Sequence, residues 1–404
     1  MIRLQDALDI VDESLSHTKR STKSVPIEDA LFFINAKSIK ATMPLPPFDN
    51  SAMDGYGVCG ESERYKVVGK IFAGKTTDWI SLNEGEALRI FTGAKVPPSV
   101  DTVIPQERVE VDGEDIKILQ PVKLGANIRK CGEDVALDEV ILDEGELINS
   151  SHIALLASQG ISKVEVYTKV KVAVFASGSE LRVIGEELRE GEIYNSNAPY
   201  LIARAKELGC ECDFLGKCGD SIESLIDLIK EAKDYDLIIT SGGVSVGEAD
   251  FTKEAFGKLG MKTLFSKVAV KPGKPTTFGV LKNSYVLNLP GNPLACALNF
   301  EIFGKMIIKK LSQTNQPYQD FIKTKTDQEI RVKRGVSTIM PGLFDKEYFT
   351  PFKDYSPGSV NTLNHCNGMI IVDENKEFVK KDDVVKFIPI RWDLLSKSRV
   401  DFIS

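Results

Sequence analysis

The sequence feature that most constrains the fold is a glycine-rich stretch at residues 241–250 (SGGVSVGEAD). It follows the short apolar run 236–240 and precedes residues 251–259, whose apolar side chains recur with helical spacing. A buried strand, a glycine turn and a helix start present free backbone N–H groups to an anion. Glu248 and Asp250 lie where the turn meets the helix, and a carboxylate there either caps the helix or holds a divalent cation that the anion also contacts.

A tight strand-to-helix connection without any ligand would explain the glycines equally well. Three lysines that follow closely, Lys267, Lys271 and Lys274, favour the anion site. The net charge of −7 argues against an extended surface for nucleic acid or for an anionic membrane. An anionic ligand of this acidic chain must therefore be bound by a local cluster of lysines and backbone donors.

Length and cysteine usage bound the class of protein. The chain has 404 residues, and a chain of this length is expected to form about two to four domains. Its seven cysteines include no CxxC pair, and Cys210 and Cys212 are too close together for the usual zinc spacing. The N-terminus is amphipathic and charged, and no long apolar run follows it. We therefore predict a cytoplasmic protein with reduced thiols, which binds neither nucleic acid nor a membrane.

Hydrophobic periodicity divides the chain into regions of different secondary structure. Residues 1–20 have helical spacing, and residues 65–131 consist of short β-branched runs broken by Gly, Asn and Pro. Between residues 169 and 311 strands alternate with helices, which predicts a mostly parallel sheet that is covered on both faces. From residue 317 the pattern is again rich in strands, as is typical of a small barrel or sandwich.

Ligands of mostly parallel sheets bind beyond the carboxyl ends of the strands. Three loops are predicted to meet there, at residues 177–180, 241–250 and 290–292. Glu180 in the first loop favours a functional site over an ordinary turn, because α/β sites are built from charged residues at this position. Asp220 follows another strand, although it also suits a position beside the N-cap of the next helix. The amides of the third loop either bind an anion or start the helix that follows.

Three further loops carry polar residues that have ordinary structural explanations as well. A turn of Asn-Ser and Asp-Gly pairs, a plain hairpin and a solvated turn would account for them. Their polar residues are Asp54 in residues 49–56, Thr92 in residues 91–94 and Asp134 in residues 129–134.

The chemistry that these loops offer is electrostatic rather than nucleophilic. The three histidines lie far apart in the sequence, and none of them lies in a polar loop, so no nucleophile-and-base constellation is credible. Carboxylates, amide-rich turns and lysines suit a divalent metal that bridges phosphate groups, with stabilisation of a charged leaving group.

Six motifs, in the order in which they occur, resemble the molybdopterin molybdenumtransferases, the MoeA/gephyrin E-domain family. The resemblance covers nearly the whole chain and is least specific in the C-terminal part. The motifs are PPFDNSAMDGY at 46–56, TGA at 92–94, GED at 132–134, SGGVSVGEAD at 241–250, KPGKP at 271–275 and LPGNP at 289–293.

The resemblance implies an α/β multidomain fold. Its parts are a central three-layer α/β/α domain with a mostly parallel sheet, like that of the molybdopterin adenylyltransferases, an inserted β domain, an N-terminal helical and extended region, and a C-terminal β-barrel. The active form that it implies is a homodimer, with the central domain of one subunit facing the β domain of the other. The ranges implied are 1–45 with 135–168 for the N-terminal region, 46–134 for the inserted domain, 169–316 for the central domain and 317–404 for the barrel.

The implied reaction inserts molybdenum from molybdate into adenylylated molybdopterin and releases AMP, with a divalent metal such as Mg²⁺. Ser179 departs from the pattern of the family, which more often has aspartate there, but Glu180 keeps the carboxylate. The implied catalytic residues are Asp54, Thr92, Asp134, Glu180, Asp220, Asp250, Lys267 and Lys271. The implied substrate-binding residues are Ser177, Gly178, Ser241, Gly242, Gly243, Ser245, Gly247, Lys274, Pro290, Gly291 and Asn292. The implied metal ligands are Glu180, Asp220 and Asp250.

The resemblance also bears on partners and on alternative functions. Arg331 and Arg334 are further candidates to reach the anion from the barrel. We expect a free-standing microbial enzyme, with the adenylylation step supplied by a separate protein and the product passed to molybdoenzymes. One alternative is an adenylyltransferase or nucleotide hydrolase that uses the same α/β domain, although that chemistry does not need the Asp54 loop. The other is a non-catalytic scaffold, against which the intact carboxylates and lysines argue.

Overall fold

The computed structural model describes residues 1–77, 79–219, 221–242, 249–353, 355–391 and 403, with only the backbone described at residues 249 and 250. Within these ranges the predicted fold class is confirmed: a mostly parallel central sheet between helices, a separate β region, an N-terminal helical and extended region, and a C-terminal barrel. In this part of the chain every helix is too short or too polar to span a lipid bilayer.

The central sheet has six strands, of which four are parallel and two, at one edge, are antiparallel. The two inner strands Lys171–Ser177 and Leu237–Ser241 are almost entirely buried, because both faces of the sheet are covered. In spatial order the strands are Glu211–Cys218, Lys171–Ser177, Leu237–Ser241, Ser284–Leu289, Thr277–Leu281 and Lys262–Ser266.

Two apolar cores cover the two faces of this sheet. Side chains alternate between the faces of a strand, so Val172 and Val174 belong to one core, and Ala173 and Phe175 belong to the other. The helices of the first face are Leu4–Leu15, Asn197–Glu207, Pro293–Asn299 and Lys305–Leu311, the last two joined by the π-helical segment Phe300–Gly304. The helices of the second face are Ile222–Glu231 and Ala249–Lys258, and the 3₁₀ turn Ala232–Asp234 follows the former.

Beyond the first helix, three antiparallel connections join distant chain segments, two of them within the N-terminal region and one within residues 46–134. Asn149 caps helix Ser150–Ser158 by accepting a hydrogen bond from the His152 N–H at 3.0 Å. The paired segments are Thr22–Pro26 with Lys163–Tyr167, Ile39–Lys40 with Val140–Leu142, and Asn50–Ser51 with Ile128–Arg129, and a 3₁₀ turn spans Ile27–Asp29.

The region that corresponds to the inserted domain forms a sheet of its own. Its six strands are, in spatial order, Thr102–Pro105, Gly55–Val58, Glu86–Ile90, Arg64–Ile71, Asp115–Ile118 and Val109–Asp112, with the 3₁₀ turn Gln106–Arg108. The Asp54 loop directly precedes strand Gly55–Val58 of this sheet, and the Thr92 loop directly follows strand Glu86–Ile90.

Five strands of the C-terminal region close into a barrel, because Gly368–Val372 pairs with Ser337–Phe344 as well as with Val384–Pro389. A barrel rather than a sandwich therefore forms. The remaining barrel strands are Tyr348–Pro351 and Ile322–Thr326, and the short strand Val270–Lys271 pairs with Ser337–Phe344. The smaller elements are two strand pairs and one helix: Ile330–Arg331 with Phe378–Val379, Leu181–Arg182 with Ile193–Tyr194, and helix Val360–His365. The division of the chain at residues 45, 134, 168 and 316 stays a prediction.

Candidate active site

A cleft of about 860 Å³ opens at the carboxyl ends of the central parallel strands. Its position agrees with the rule that ligands of such sheets bind where strands end. Ten of the residues that the sequence placed in the site line it: Ser177, Gly178, Glu180, Ser241, Gly242, Lys271, Lys274, Pro290, Gly291 and Asn292.

Two of the three strand-end loops, those at Ser241 and Gly291, are joined by a buried amide that sequence reasoning missed. Asn197, in the first turn of helix Asn197–Glu207, donates from Nδ2 to the Ser241 hydroxyl at 2.6 Å and to the Gly291 carbonyl at 2.7 Å. The Gly242 N–H also donates to the Leu289 carbonyl at 3.4 Å. In the sequence, Asn197 is an ordinary polar residue near the start of a helix. Its importance is visible only from its burial, because a buried amide needs hydrogen-bond partners.

The close approach of these loops requires glycine at position 242. Its φ is +92°, in the left-handed region, and a Cβ there would lie 2.3 Å from the Ser177 carbonyl oxygen. The glycine therefore allows the loop after strand Leu237–Ser241 to touch the loop after strand Lys171–Ser177.

Substituting Gly242→Ala should lower the stability of the protein because the methyl group collides with backbone. Gly260→Ala is the matched control, since Gly260 has φ +85° but a Cβ at this position would have nothing within 4 Å. The control should cost about 1–2 kcal/mol for the left-handed backbone alone, and Gly242→Ala should cost at least about 1 kcal/mol more. Urea denaturation followed by circular dichroism measures both, and equal losses would show that the two loops can move apart freely.

Lys271 and Lys274 line the cleft, and the turn that contains them is held by hydrogen bonds to a buried asparagine. The Asn299 side chain, fully buried, donates from Nδ2 to the Pro272 carbonyl at 3.1 Å and accepts at Oδ1 from the Thr276 hydroxyl at 3.3 Å. A Cβ at Gly273 would lie 2.0 Å from the same Nδ2. The turn is thus fixed to the helix that starts at Pro293. Lys271 itself is exposed.

The other basic candidates lie differently. Lys267 is exposed and does not line the cleft; its carbonyl accepts from the Ile2 N–H at 3.2 Å. From the barrel, Lys333 lines the cleft, whereas Arg331 and Arg334 do not and instead pair with Glu329 at 2.8 Å and Glu377 at 3.9 Å. Sequence reasoning considered the arginines on either side of Lys333 because nothing in the local pattern indicates which residue of the loop faces the cleft.

Glu180 is the metal-ligand candidate whose side chain the structure describes. It is exposed at the cleft, with its carboxylate folded over Gly178, where a Cβ would lie 2.6 Å from Oε2. A single carboxylate beside lysines fits Mg²⁺, which proteins usually bind through one or two carboxylates together with substrate phosphates. The described residues contain no group of three or more metal-binding side chains. Asp220, Gly243, Ser245, Gly247 and the side chain of Asp250 lie outside the described residues.

Asp54 and Thr92 contact each other, and both lie outside the lining of this cleft. Asp54 Oδ1 accepts from the Thr92 backbone N–H at 2.8 Å and from the Thr92 hydroxyl at 2.7 Å. These two bonds, the backbone one foremost, hold the pKa of Asp54 below its ordinary value, so the exposed carboxylate stays ionised. Neither residue lines the cleft.

Asp134 lies neither at the cleft nor beside Asp54 and Thr92. Its N–H donates to the Leu45 carbonyl at 2.9 Å, and its side chain is exposed outside the cleft. Among the described residues, the predicted site residues therefore form a main group at the strand ends and a pair at Asp54 and Thr92, while Asp134 and Lys267 belong to neither.

Comparison with known proteins places this arrangement in a family. Residues 2–160 match the model of the MoeA N-terminal region (domain I and II), and residues 180–310 match that of a probable molybdopterin binding domain. The chain is similar to the molybdopterin molybdenumtransferase of Staphylococcus aureus (strain MSSA476), at 32% identity over 389 residues, which are 90% of each chain. It is also similar to that of Staphylococcus epidermidis (strain ATCC 12228), at 31% identity over 396 residues, or 92% of each chain.

Solved structures agree with the sequence comparison. The molybdopterin biosynthesis moeA protein from Pyrococcus horikoshii OT3 superposes with a TM-score of 0.84 at 25% identity, covering 96% of this chain and 100% of that one. A second structure of a moea protein, from Pyrococcus horikosii, gives a TM-score of 0.81 at 30% identity, with 97% and 100% covered. With sequence, domain order and fold in agreement, the chain belongs to the molybdopterin molybdenumtransferases, the transferases of molybdenum cofactor biosynthesis.

Proposed function

We propose that the cleft inserts molybdenum from molybdate into adenylylated molybdopterin and that AMP is released in the reaction. The observation that carries this proposal is a cleft of about 860 Å³ lined by three lysines in a chain of net charge −7. An acidic protein can hold several anionic groups at once only where cations and backbone donors are concentrated.

Each part of the cleft has a task in this proposal. Lys271, Lys274 and Lys333 neutralise the charge of phosphate and molybdate oxygens. The glycine turns bring backbone N–H groups close to the same oxygens, because no side chain stands between them and the ligand. Glu180 would hold Mg²⁺, together with Asp220 and Asp250 as the sequence predicts, and the ion would supply charge neutralisation at the phosphate that leaves with AMP.

AMP release tests the proposed reaction directly. The purified protein is incubated with adenylylated molybdopterin and Mg²⁺, with and without molybdate, and AMP is quantified by chromatography. Molybdate-dependent AMP release is expected. AMP released at the same rate without an oxyanion would indicate a nucleotide hydrolase, and bound substrate without turnover would indicate a scaffold. Omission of Mg²⁺ should abolish the reaction if the carboxylates act through the ion.

We further propose that the active form is a homodimer in which Asp54 and Thr92 of one subunit face the cleft of the other. The support is their separation from the cleft of their own chain, although their motif is part of the family pattern. A separate adenylyltransferase that supplies the substrate, and molybdoenzymes that accept the product, are the partners that this reaction requires. The cytoplasmic location stays a prediction from the sequence.

Mixed dimers test the shared site. Asp54→Asn and Lys271→Gln proteins should each be nearly inactive, since each lacks one half of every site. Subunit exchange between them gives mixed dimers with one intact and one doubly defective site, so random mixing should restore about a quarter of wild-type activity. If Asp54 acted within its own chain, no mixed dimer would contain an intact site and mixing would restore nothing.

A further inference from the structure

A second cavity, separate from the cleft, lies where the central domain meets the start of the barrel. Its volume is about 200 Å³, and it lies between helix Lys305–Leu311, residues 316–320 and Pro389 of the last barrel strand. None of its lining residues lines the cleft. Pockets for organic ligands usually have volumes of about 300–1,000 Å³, so this cavity suits a small ion better than a nucleotide or a pterin.

Two lysines of this cavity have no anionic partner in the described part of the chain. Lys305 and Lys309 are one helical turn apart, on the same face of their helix. Both are half-buried, and neither forms an ion pair or a side-chain hydrogen bond with another described residue. Their neighbour Lys310 shows the contrast, since it pairs with Asp12 and donates to the Tyr318 hydroxyl at 2.9 Å.

The nearby carboxylates do not balance these two charges. Glu301, one turn before Lys305, is held by Arg204 at 2.7 Å. Asp320 lines the cavity without forming an ion pair with either lysine, and its Oδ1 accepts from the Phe321 N–H at 2.7 Å. Burial lowers the pKa of both Lys305 and Lys309, and at Lys305 it outweighs the opposing effect of the Glu301 charge.

The same cavity contains an unused donor. Gln319 lines it, and the Gln319 Nε2 is buried without a hydrogen-bond partner among the described residues. Buried polar atoms are nearly always satisfied by protein, water or a ligand. Two ammonium groups and an amide N–H together form a donor set for an anion with several oxygens.

We propose that this cavity binds a small tetrahedral oxyanion, phosphate or molybdate, through Lys305, Lys309 and Gln319. An anion bound there would join the last helix of the central domain to the segment that leads into the barrel. Its binding would stabilise the packing of those two domains without occupying the cleft.

Lysine reactivity measures this binding residue by residue in the full-length protein. Reductive methylation is carried out with increasing inorganic phosphate, or separately molybdate, against sodium chloride of equal ionic strength, and modified peptides are quantified by mass spectrometry. Methylation of Lys305 and Lys309 should slow by about tenfold at an anion concentration ten times the Kd. Lys230, exposed and paired with Asp227, should react equally in every sample, and Lys271 and Lys274 report the cleft in the same experiment.

The outcomes decide both the site and its ligand. Protection by phosphate alone, by molybdate alone or by both identifies the anion and supports the site. No protection of Lys305 and Lys309 beyond that given by sodium chloride overturns it. Gln319→Leu provides a second test that spares both lysines: it should raise the Kd for the protecting anion, and an unchanged Kd would remove Gln319 from the donor set.

Discussion

Replacing both Lys271 and Lys274 by glutamine should reduce kcat/KM for molybdenum transfer by about 100-fold or more while the fold is kept. Each lysine offers a hydrogen bond between charged groups, and such a bond contributes about 1.5–3 kcal/mol. Two of them sum to about 3–6 kcal/mol, and about 1.4 kcal/mol is a factor of ten. Glutamine retains much of the length of the side chain and its ability to donate, so the change is mainly one of charge.

A matched variant and the ionic strength separate this effect from packing. Lys262→Gln removes an exposed lysine outside the cleft and should leave kcat/KM unchanged. Because salt screens charges, the ratio between wild-type and doubly substituted protein should become smaller as salt is raised. Equal rates of the two proteins at low salt would remove these lysines from the site. A circular dichroism spectrum of an unfolded protein would instead point to the contacts between their turn and Asn299.

The strand-end part of the site could be predicted from sequence because it depends on local patterns. The apolar runs around 172–176 and 237–240 are short and rich in β-branched residues, and glycine turns and helical patterns follow them, which identifies buried parallel strands. Once strands of one parallel sheet are identified, their carboxyl ends must lie at one edge, so the loops at Ser177, Ser241 and Gly291 meet there. The glycine at 242 follows from the same crowding, since two backbones approach each other in that place.

The remaining features depend on contacts between distant parts of the chain. Asn197 acts through the loops at 241 and 291, and no pattern around Asn197 itself indicates these partners. Lys333 reaches the cleft because strand Val270–Lys271 pairs with Ser337–Phe344, which fixes the barrel beside the cleft. The separation of Asp54 from the cleft is likewise a property of how the β region is positioned. Sequence motifs identified Asp54 as a candidate for the site, but the place of its loop outside the cleft depends on how distant segments of the chain pack.

A buried ion pair between helix Asn197–Glu207 and the π-helical segment Phe300–Gly304 should be the most sensitive point for stability. Glu301 is completely buried, and its carboxylate accepts from Arg204 at 2.7 and 2.9 Å and from the Tyr200 hydroxyl at 3.1 Å. Arg204 also donates to the Ile390 carbonyl at 3.4 Å, at the end of the barrel. Although burial alone would lower the pKa of Arg204, Glu301 raises it, and the guanidinium stays charged.

Arg204→Met should therefore destabilise the protein by about 3–5 kcal/mol, because it leaves the Glu301 carboxylate buried without its cation. Lys230→Met, which breaks the exposed pair with Asp227 at 3.1 Å, is the control and should cost at most about 1 kcal/mol. The double variant Arg204→Met/Glu301→Leu removes both charges and should recover most of the lost stability, since a buried pair gains little over apolar residues of similar volume. Urea denaturation of the wild type and these three variants gives the comparison. A double variant as unstable as Arg204→Met would mean that Arg204 stabilises the fold through its packing and its bonds to Ile390 and Glu207 rather than by compensating Glu301.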